Sequence, residues 1–280
     1  MFRPLLIPPL LVAVALAPTL PAAPEDSKPT DFVVVQKGTL PIIVSAPHGG
    51  RKKVPDVPER LGVGVTSFAT VLDANTDLIA DKFAVELEKL LNGKPWLVIA
   101  KFERKYLDVN RPRELAYESD KAKPYYDAYH EPLEAACKAV KTKFGRGLLL
   151  DIHGQGEVRD SICRGTQNGK TVTLLKERDG WAALTGKRSV LGQLQRMGYK
   201  VLPSCDANEK AKEEPKFTGG HIVGTYGSHT GYAIDAIQLE FGTFLRDKEK
   251  DKYATTAKDL ADAVAAFYDE YLKDAKAKPE

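Results

Sequence analysis

The chain has 280 residues, 43% of them apolar and 8% aromatic, with 41 basic against 38 acidic side chains and a formal charge of +3. So even a balance argues against a dedicated nucleic-acid binder, which concentrates a large basic excess on one face, and ordinary glycine and proline usage excludes disordered and fibrous classes. A soluble globular protein remains, and its length suits one large α/β domain or two small ones.

At the N-terminus, Arg3 precedes the apolar run Leu5 to Leu16 and the small residues around Ala22 and Ala23. This reads as a secretory signal peptide over residues 1 to 23, and it implies a secreted or periplasmic protein with no membrane attachment once the leader is removed. A retained anchor is the second reading; five prolines between Pro4 and Ala23 and the acidic, proline-rich segment that follows speak against it. Residues 24 to 31 read as a linker, and residues 32 to 280 as one domain.

From there short β-rich runs alternate with helical patterns. Strands are expected at Phe32 to Val35, Leu40 to Ser45, Trp96 to Lys101, Leu148 to Ile152, Thr171 to Leu175, Lys200 to Leu202 and Ala236 to Phe241. Helices are expected at Thr76 to Leu91, Tyr126 to Lys143, Ser189 to Met197 and Thr255 to Leu272, the first on the spacing of Ile79, Phe83 and Leu87. The alternation implies a single α/β domain with a mixed, mostly parallel central sheet covered by helices. Residues 49 to 66 and 203 to 235 read as long functional loops. Of the three cysteines, Cys137 falls in a helical pattern as a small core residue, and Cys163 and Cys205 are expected to pair.

Chemistry gathers at strand ends. Two apolar runs end in Ser45-Ala46-Pro47-His48-Gly49-Gly50 and Asp151-Ile152-His153-Gly154. Functional groups in open α/β sheets collect beyond the carboxyl ends of strands, and two histidines so placed can share a metal. A catalytic zinc takes three protein ligands; the nearest candidates after His48 are Glu59, Asp73 and Asp77. Glu240 interrupts the apolar run Ala236 to Phe241, where a carboxylate must be solvated, paired or functional. In the segment Phe102 to Arg113, Arg104 can stabilise an oxyanion, and Asn110 with Arg111 can clamp an anionic substrate end.

Taken in order, these segments resemble the N-formylglutamate amidohydrolase family, related to zinc carboxypeptidases. The resemblance rests on Pro47-His48-Gly49-Gly50, Asn75-Thr76-Asp77, Arg104 to Arg111, Asp151-Ile152-His153-Gly154, Phe217 to Gly227 and Gln238-Leu239-Glu240, and spans roughly residues 40 to 245. It implies a phosphorylase/hydrolase-like fold and one Zn2+, with Mn, Fe or Co as alternatives, held by His48, Asp77 and His153. Glu240 and Arg104 would be catalytic; Asn110, Arg111 and His221 would bind substrate. Asp151 and Asp108 would orient a histidine or arginine. His229 is a second candidate for shaping the pocket, and His130 reads as structural. The family's carboxypeptidase-like His-x-x-Glu is absent, since Arg51 stands three residues after His48.

The activity implied is hydrolysis of a small-molecule or peptide-like amide whose substrate carries a carboxylate. Alternatives are an extracytoplasmic zinc carboxypeptidase, a poly-gamma-glutamate or cell-wall amide hydrolase, and a catalytically silent anion-binding homologue. A serine hydrolase is disfavoured, because no G-x-S-x-G elbow occurs.

Overall fold

The computed structural model describes residues 27–208 and 211–275; the expected leader therefore lies outside the described residues. Seven strands, β1 (Val33–Gln36), β2 (Ile42–Ala46), β3 (Trp96–Ala100), β4 (Gly147–Gln155), β5 (Ser161–Gly165), β6 (Lys200–Leu202) and β7 (Ile234–Gly242), form one sheet in the order β1-β3-β2-β4-β7-β5-β6. The four inner strands β3, β2, β4 and β7 run parallel, and β1 and β5 are antiparallel to their neighbours β3 and β7. The helices are α1 (Thr76–Leu91), α2 (Arg113–Ala116), α3 (Lys123–Phe144), α4 (Thr173–Asp179), α5 (Ala182–Thr185), α6 (Val190–Arg196), α7 (His221–Tyr226) and α8 (Lys252–Phe267), the last running into a π-helical turn at Tyr268–Leu272. No described helix is long and apolar enough to cross a membrane.

The inner strands are continuous apolar runs because both faces are covered. Alternate residues serve two cores. Ile42, Val44, Leu148, Leu150, Ile237 and Leu239 pack under α1, α6 and α8, whereas Ile43, Leu149, Ile234 and Ala236 pack under α3 and α7. The stripe Ile79, Phe83 and Leu87 docks α1 on the first core with no exposed surface, each side chain contributing about 1.5–3 kcal/mol. Asn92, in the left-handed region at φ 49°, ends that helix.

Strand β2 is where the winding reverses. The connection from β2 to β3 runs through α1 on one face, and the connection from β3 to β4 runs through α3 on the other and returns to the far side of β2. Neighbouring connections therefore leave the carboxyl ends of β2 and β4 in opposite directions. A crevice must open there, at the position where doubly wound sheets bind ligands.

Two expectations fail. Thr171 to Leu175 forms a 3-10 turn (Lys170–Val172) and the start of α4 instead of a strand. The β-branched residues mislead; Thr171 Oγ1 donates to Ala236 O at 2.6 Å and Leu175 N donates to Asp235 Oδ1 at 3.0 Å, tying a helical turn to β7. Conversely β5, with Arg164 inside it, carries no strand signal and is wholly buried, because Arg164 Nε donates to the buried Glu213 at 2.9 Å. Cys163 and Cys205 do not pair; all three cysteines are free thiols. Cys163 sits in the sheet opposite Glu240, while Cys205 follows β6 and leans on the other face's core.

Candidate metal centre and its cavity

Side chains two apart on a strand share a face, and the second core's rows continue into polar residues at the carboxyl ends. Ile43 is followed by Ser45, Leu149 by Asp151 and His153, and Ala236 by Gln238 and Glu240. Sheet register sets Ser45 beside Asp151 and Asp151 beside Gln238, then His153 beside Glu240. His48 enters from the loop just past β2. Its ring and that of His153 lie 4.8 Å apart, nearly perpendicular at 76°.

Between the two rings stands Asp73. Its Oδ2 lies 3.4 Å from His48 Nδ1 and 3.2 Å from His153 Nδ1, and it accepts the Gly154 N–H at 3.1 Å. Asp73 N donates to His48 O at 3.0 Å, and Asp73 O accepts from both Thr76 N and Thr76 Oγ1, so one residue joins the histidine loop to the start of α1. Ligand atoms of His48, Asp73 and His153 all fall within 4.8 Å of one another, and all three residues are buried.

Asp77, expected as the second ligand, is not in this group. It lies in the first turn of α1 against the back of Gly49, where a Cβ would come 2.7 Å from its own. Its Oδ1 is buried without a hydrogen-bond partner, and burial pushes its carboxyl up. Gly50 is equally confined, since a Cβ there would lie 2.2 Å from the Lys101 carbonyl carbon. These glycines thus let the loop pack between α1 and the end of β3, a role different from admitting a ligand.

Each imidazole is oriented from behind. His48 Nε2 is 2.7 Å from Asp108 Oδ1, and His153 Nε2 is 3.0 Å from Asp151 Oδ2, whose other oxygen accepts Ser45 Oγ. With Nε2 donating to a carboxylate, Nδ1 carries the lone pair and points inward, as in carboxylate–histidine–metal arrangements. His48 Nδ1 is buried with no hydrogen-bond partner. An inward lone pair, a second one beside it and an anionic oxygen between them fit a divalent ion of the zinc type.

The electrostatics agree. Burial alone would raise the Asp73 and Asp108 carboxyls, but the imidazoles and, for Asp108, Arg104 outweigh it and hold both below the ordinary range. Burial works against a charged His153, yet Asp151 and Asp73 prevail and raise its pKa. The cluster favours positive charge at its centre, from protons or from a cation. Glu240 stands apart: burial pushes it up to about 7, opposed by His153 and reinforced by Asp73. Gln238 Nε2 donates to Glu240 Oε1 at 2.8 Å while Gln238 Oε1 accepts the Gly220 N–H. Gln238 was missed in the sequence; its signal was a second polar residue on the same strand face as Glu240.

Arg104 binds Asp108 Oδ2 through Nε and Nη2 at 2.9 and 2.8 Å, and its Nη1 lies 4.0 Å from Asp73. Asn110 is placed by donation from Asn110 N to Asp108 and from Ile222 N to Asn110 Oδ1, with its Nδ2 3.2 Å from His153 Nε2. Arg111 donates to Ser67 O at 2.8 Å. His221 Nδ1 is 3.3 Å from Thr225 Oγ1. Arg104, Asn110, Arg111 and His221 line one cavity of about 710 Å3 with His48, Asp73, His153 and Glu240. Arg113 turns outward to Asp127, and His130 is held in α3 against Val109 O and Tyr226. Arg60, also missed, is buried beneath the site; it donates to Arg104 O and so holds the arginine segment in place.

Neither a protein-family model nor a curated protein matches the sequence. Among solved structures, the chain is similar to N-formylglutamate amidohydrolase from Ralstonia eutropha JMP134, with a TM-score of 0.60 and 16% identity over 86% of this chain and 98% of that one. A gene product of Agrobacterium tumefaciens aligns with a TM-score of 0.51 and 14% identity, over 84% of this chain and 94% of that one. A bacteriophage poly-gamma-glutamate hydrolase aligns with a TM-score of 0.41 and 14% identity, over 85% and 88%. At these identities the first two likenesses establish the fold alone.

Proposed function

We propose that this protein is a metal-dependent hydrolase of an amide bond, acting on an N-acyl amino acid or peptide-like substrate that carries a carboxylate. One observation carries the reading: His48 Nδ1, Asp73 and His153 Nδ1 converge in a cavity beside a buried glutamate held on the neighbouring strand. The fold shared with N-formylglutamate amidohydrolase from Ralstonia eutropha supports it. His48, Asp73 and His153 would hold the ion, zinc being the best match to two imidazoles and a carboxylate. When bound, such an ion supplies Lewis acidity, polarising a carbonyl and acidifying water.

The remaining work belongs to the chain. Glu240 takes a proton from water as the new C–O bond forms, and returns it to the amine nitrogen as the C–N bond breaks, giving a carboxylate and a free amine. Gln238 fixes one oxygen of Glu240, which leaves Oε2 for that transfer. Arg104, locked on Asp108 with Nη1 toward the site, stabilises the charge that grows on the carbonyl oxygen. Arg111 keeps guanidinium donors beyond its bond to Ser67 for the substrate carboxylate. The apolar leader in residues 1 to 23 supports a secreted or periplasmic setting.

The test is metal content and hydrolysis of N-acyl glutamates by the purified protein, with His48→Ala and His153→Ala alongside. The reading requires bound metal and turnover in the parent and loss of both in each variant. Retained metal in both variants, or metal without turnover of any N-acyl amino acid or short peptide, would overturn it.

A further inference from the structure

Elsewhere in the cavity wall, the turn after β5 adopts an uncommon backbone. Gln167, Asn168 and Gly169 all have positive φ, at 49°, 55° and 89°. Left-handed glutamine is unusual, and each such non-glycine residue costs on the order of 1–3 kcal/mol unless its surroundings impose it. Here they do. The buried Glu213 accepts from Thr166 N, Thr166 Oγ1 and Asn168 N while pairing with Arg164. Gly169 N donates to Thr166 Oγ1 at 2.8 Å, and Gln167 N donates to Thr218 O.

The outcome is that the Gln167 side chain lines the cavity. Its carboxamide lies across Gly224 of α7, where a Cβ would come 2.8 Å from Nε2. Three other polar side chains of the wall are engaged: Gln238 with Glu240 and Gly220, Asn110 with Ile222, and Thr225 with His221. The Gln167 carboxamide makes no hydrogen bond within the described residues, so an amide donor and acceptor, held at the cost of backbone strain, face the cavity unused.

Size gives the ligand. The cavity of about 710 Å3 lies in the range of clefts that take a drug-sized ligand, which leaves room for a further residue beside an N-acyl amino acid. An N-acyl amino acid fills only part of it.

We infer that Gln167 forms a substrate subsite that binds a second amide group, beyond the one cleaved, so that the preferred substrates are short peptides of two or three residues. The carboxamide donates to that amide's carbonyl and accepts from its N–H. This rests on the hydrolase reading, and binding separates the two.

Metal-free protein is titrated calorimetrically with N-acetylglutamate and with N-acetyl-Ala-Ala-Glu. The tripeptide binds more tightly, and Gln167→Ala lowers the tripeptide-to-N-acetylglutamate affinity ratio about five- to tenfold, as expected for one or two hydrogen bonds. Because alanine resists positive φ, Gln167→Asn is measured too: asparagine tolerates that backbone and withdraws the amide by one methylene. Gly224→Ala pushes the carboxamide aside without touching the turn, and lowers the ratio likewise. A ratio that none of the three variants changes, or a tripeptide that binds no better than N-acetylglutamate, overturns the subsite. Gln167-dependent tripeptide binding without hydrolysis by metal-loaded protein overturns the proposed function and leaves the subsite standing.

Discussion

Replacing Asp73 by Asn removes the anionic oxygen between the two inward Nδ1 atoms, 3.4 and 3.2 Å away, while keeping its size. Structural zinc sites bind with about 10–16 kcal/mol over four ligands, so one ligand accounts for about 3–4 kcal/mol, and Asp73→Asn should weaken metal affinity about 10²–10³-fold. Asp108→Asn and Asp151→Asn act through Nε2 of His48 and His153 and should cost about 10–100-fold, the usual effect of an outer carboxylate. Asp77→Asn, behind Gly49, should leave affinity within experimental error. Competition of the purified protein against a chromogenic chelator, with content checked by plasma mass spectrometry, reads all four. Normal affinity in Asp73→Asn together with loss in Asp77→Asn would refute the assignment of the centre.

Glu240→Gln should retain metal and lose about 10²–10⁴-fold in kcat, measured by amine release; equal loss of metal would mean that Glu240 is a ligand. Burial pushes Glu240 up to about 7, and a dication alongside would pull it lower, so kcat/KM of loaded enzyme should fall on the acid side with a midpoint below 7, a limb absent in Glu240→Gln. Asp235 is raised from 3.8 to about 6 by burial. Its folded form prefers the proton, so stability is greatest below about pH 4 for this group and declines through pH 6, by about 3 kcal/mol in all. Asp235→Asn should flatten that decline in urea melts at pH 5 and pH 7, and an unchanged slope would refute it. Glu213→Gln strips the charge partner from buried Arg164 and should cost about 3–5 kcal/mol, seen as a lower melting temperature; a shift within error would show that the pair contributes nothing.

That His48, His153 and Glu240 come together was legible because each stands where an apolar strand breaks into polar residues, and parallel register then brings strand ends together. The choice between Asp73 and Asp77 was not. Helical periodicity begins at Thr76, so it draws attention to the acid inside the first turn; Asp73 sits three residues earlier, in loop sequence without a period, and its place is fixed by hydrogen bonds to His48 O and Thr76 that only the fold supplies. Strand β5 stayed hidden for a related reason, since an arginine in a short run argues against a buried strand until its partner Glu213, 49 residues later, is known. Thr171 to Leu175 misled in the opposite sense, its β-branched residues outvoted by contacts to β7.

The reversal of winding at β2 divides the labour between two kinds of structure. The imidazoles and Glu240 hang from or beside the inner strands β2, β4 and β7, whereas other parts of the wall come from Gln167 and from residues between Lys216 and Thr225. Under the proposed function, substitutions in the loops would alter which substrates fit while the strand-borne residues stay in place, with Gly220 N on Gln238 and Ile222 N on Asn110 tying the two parts together.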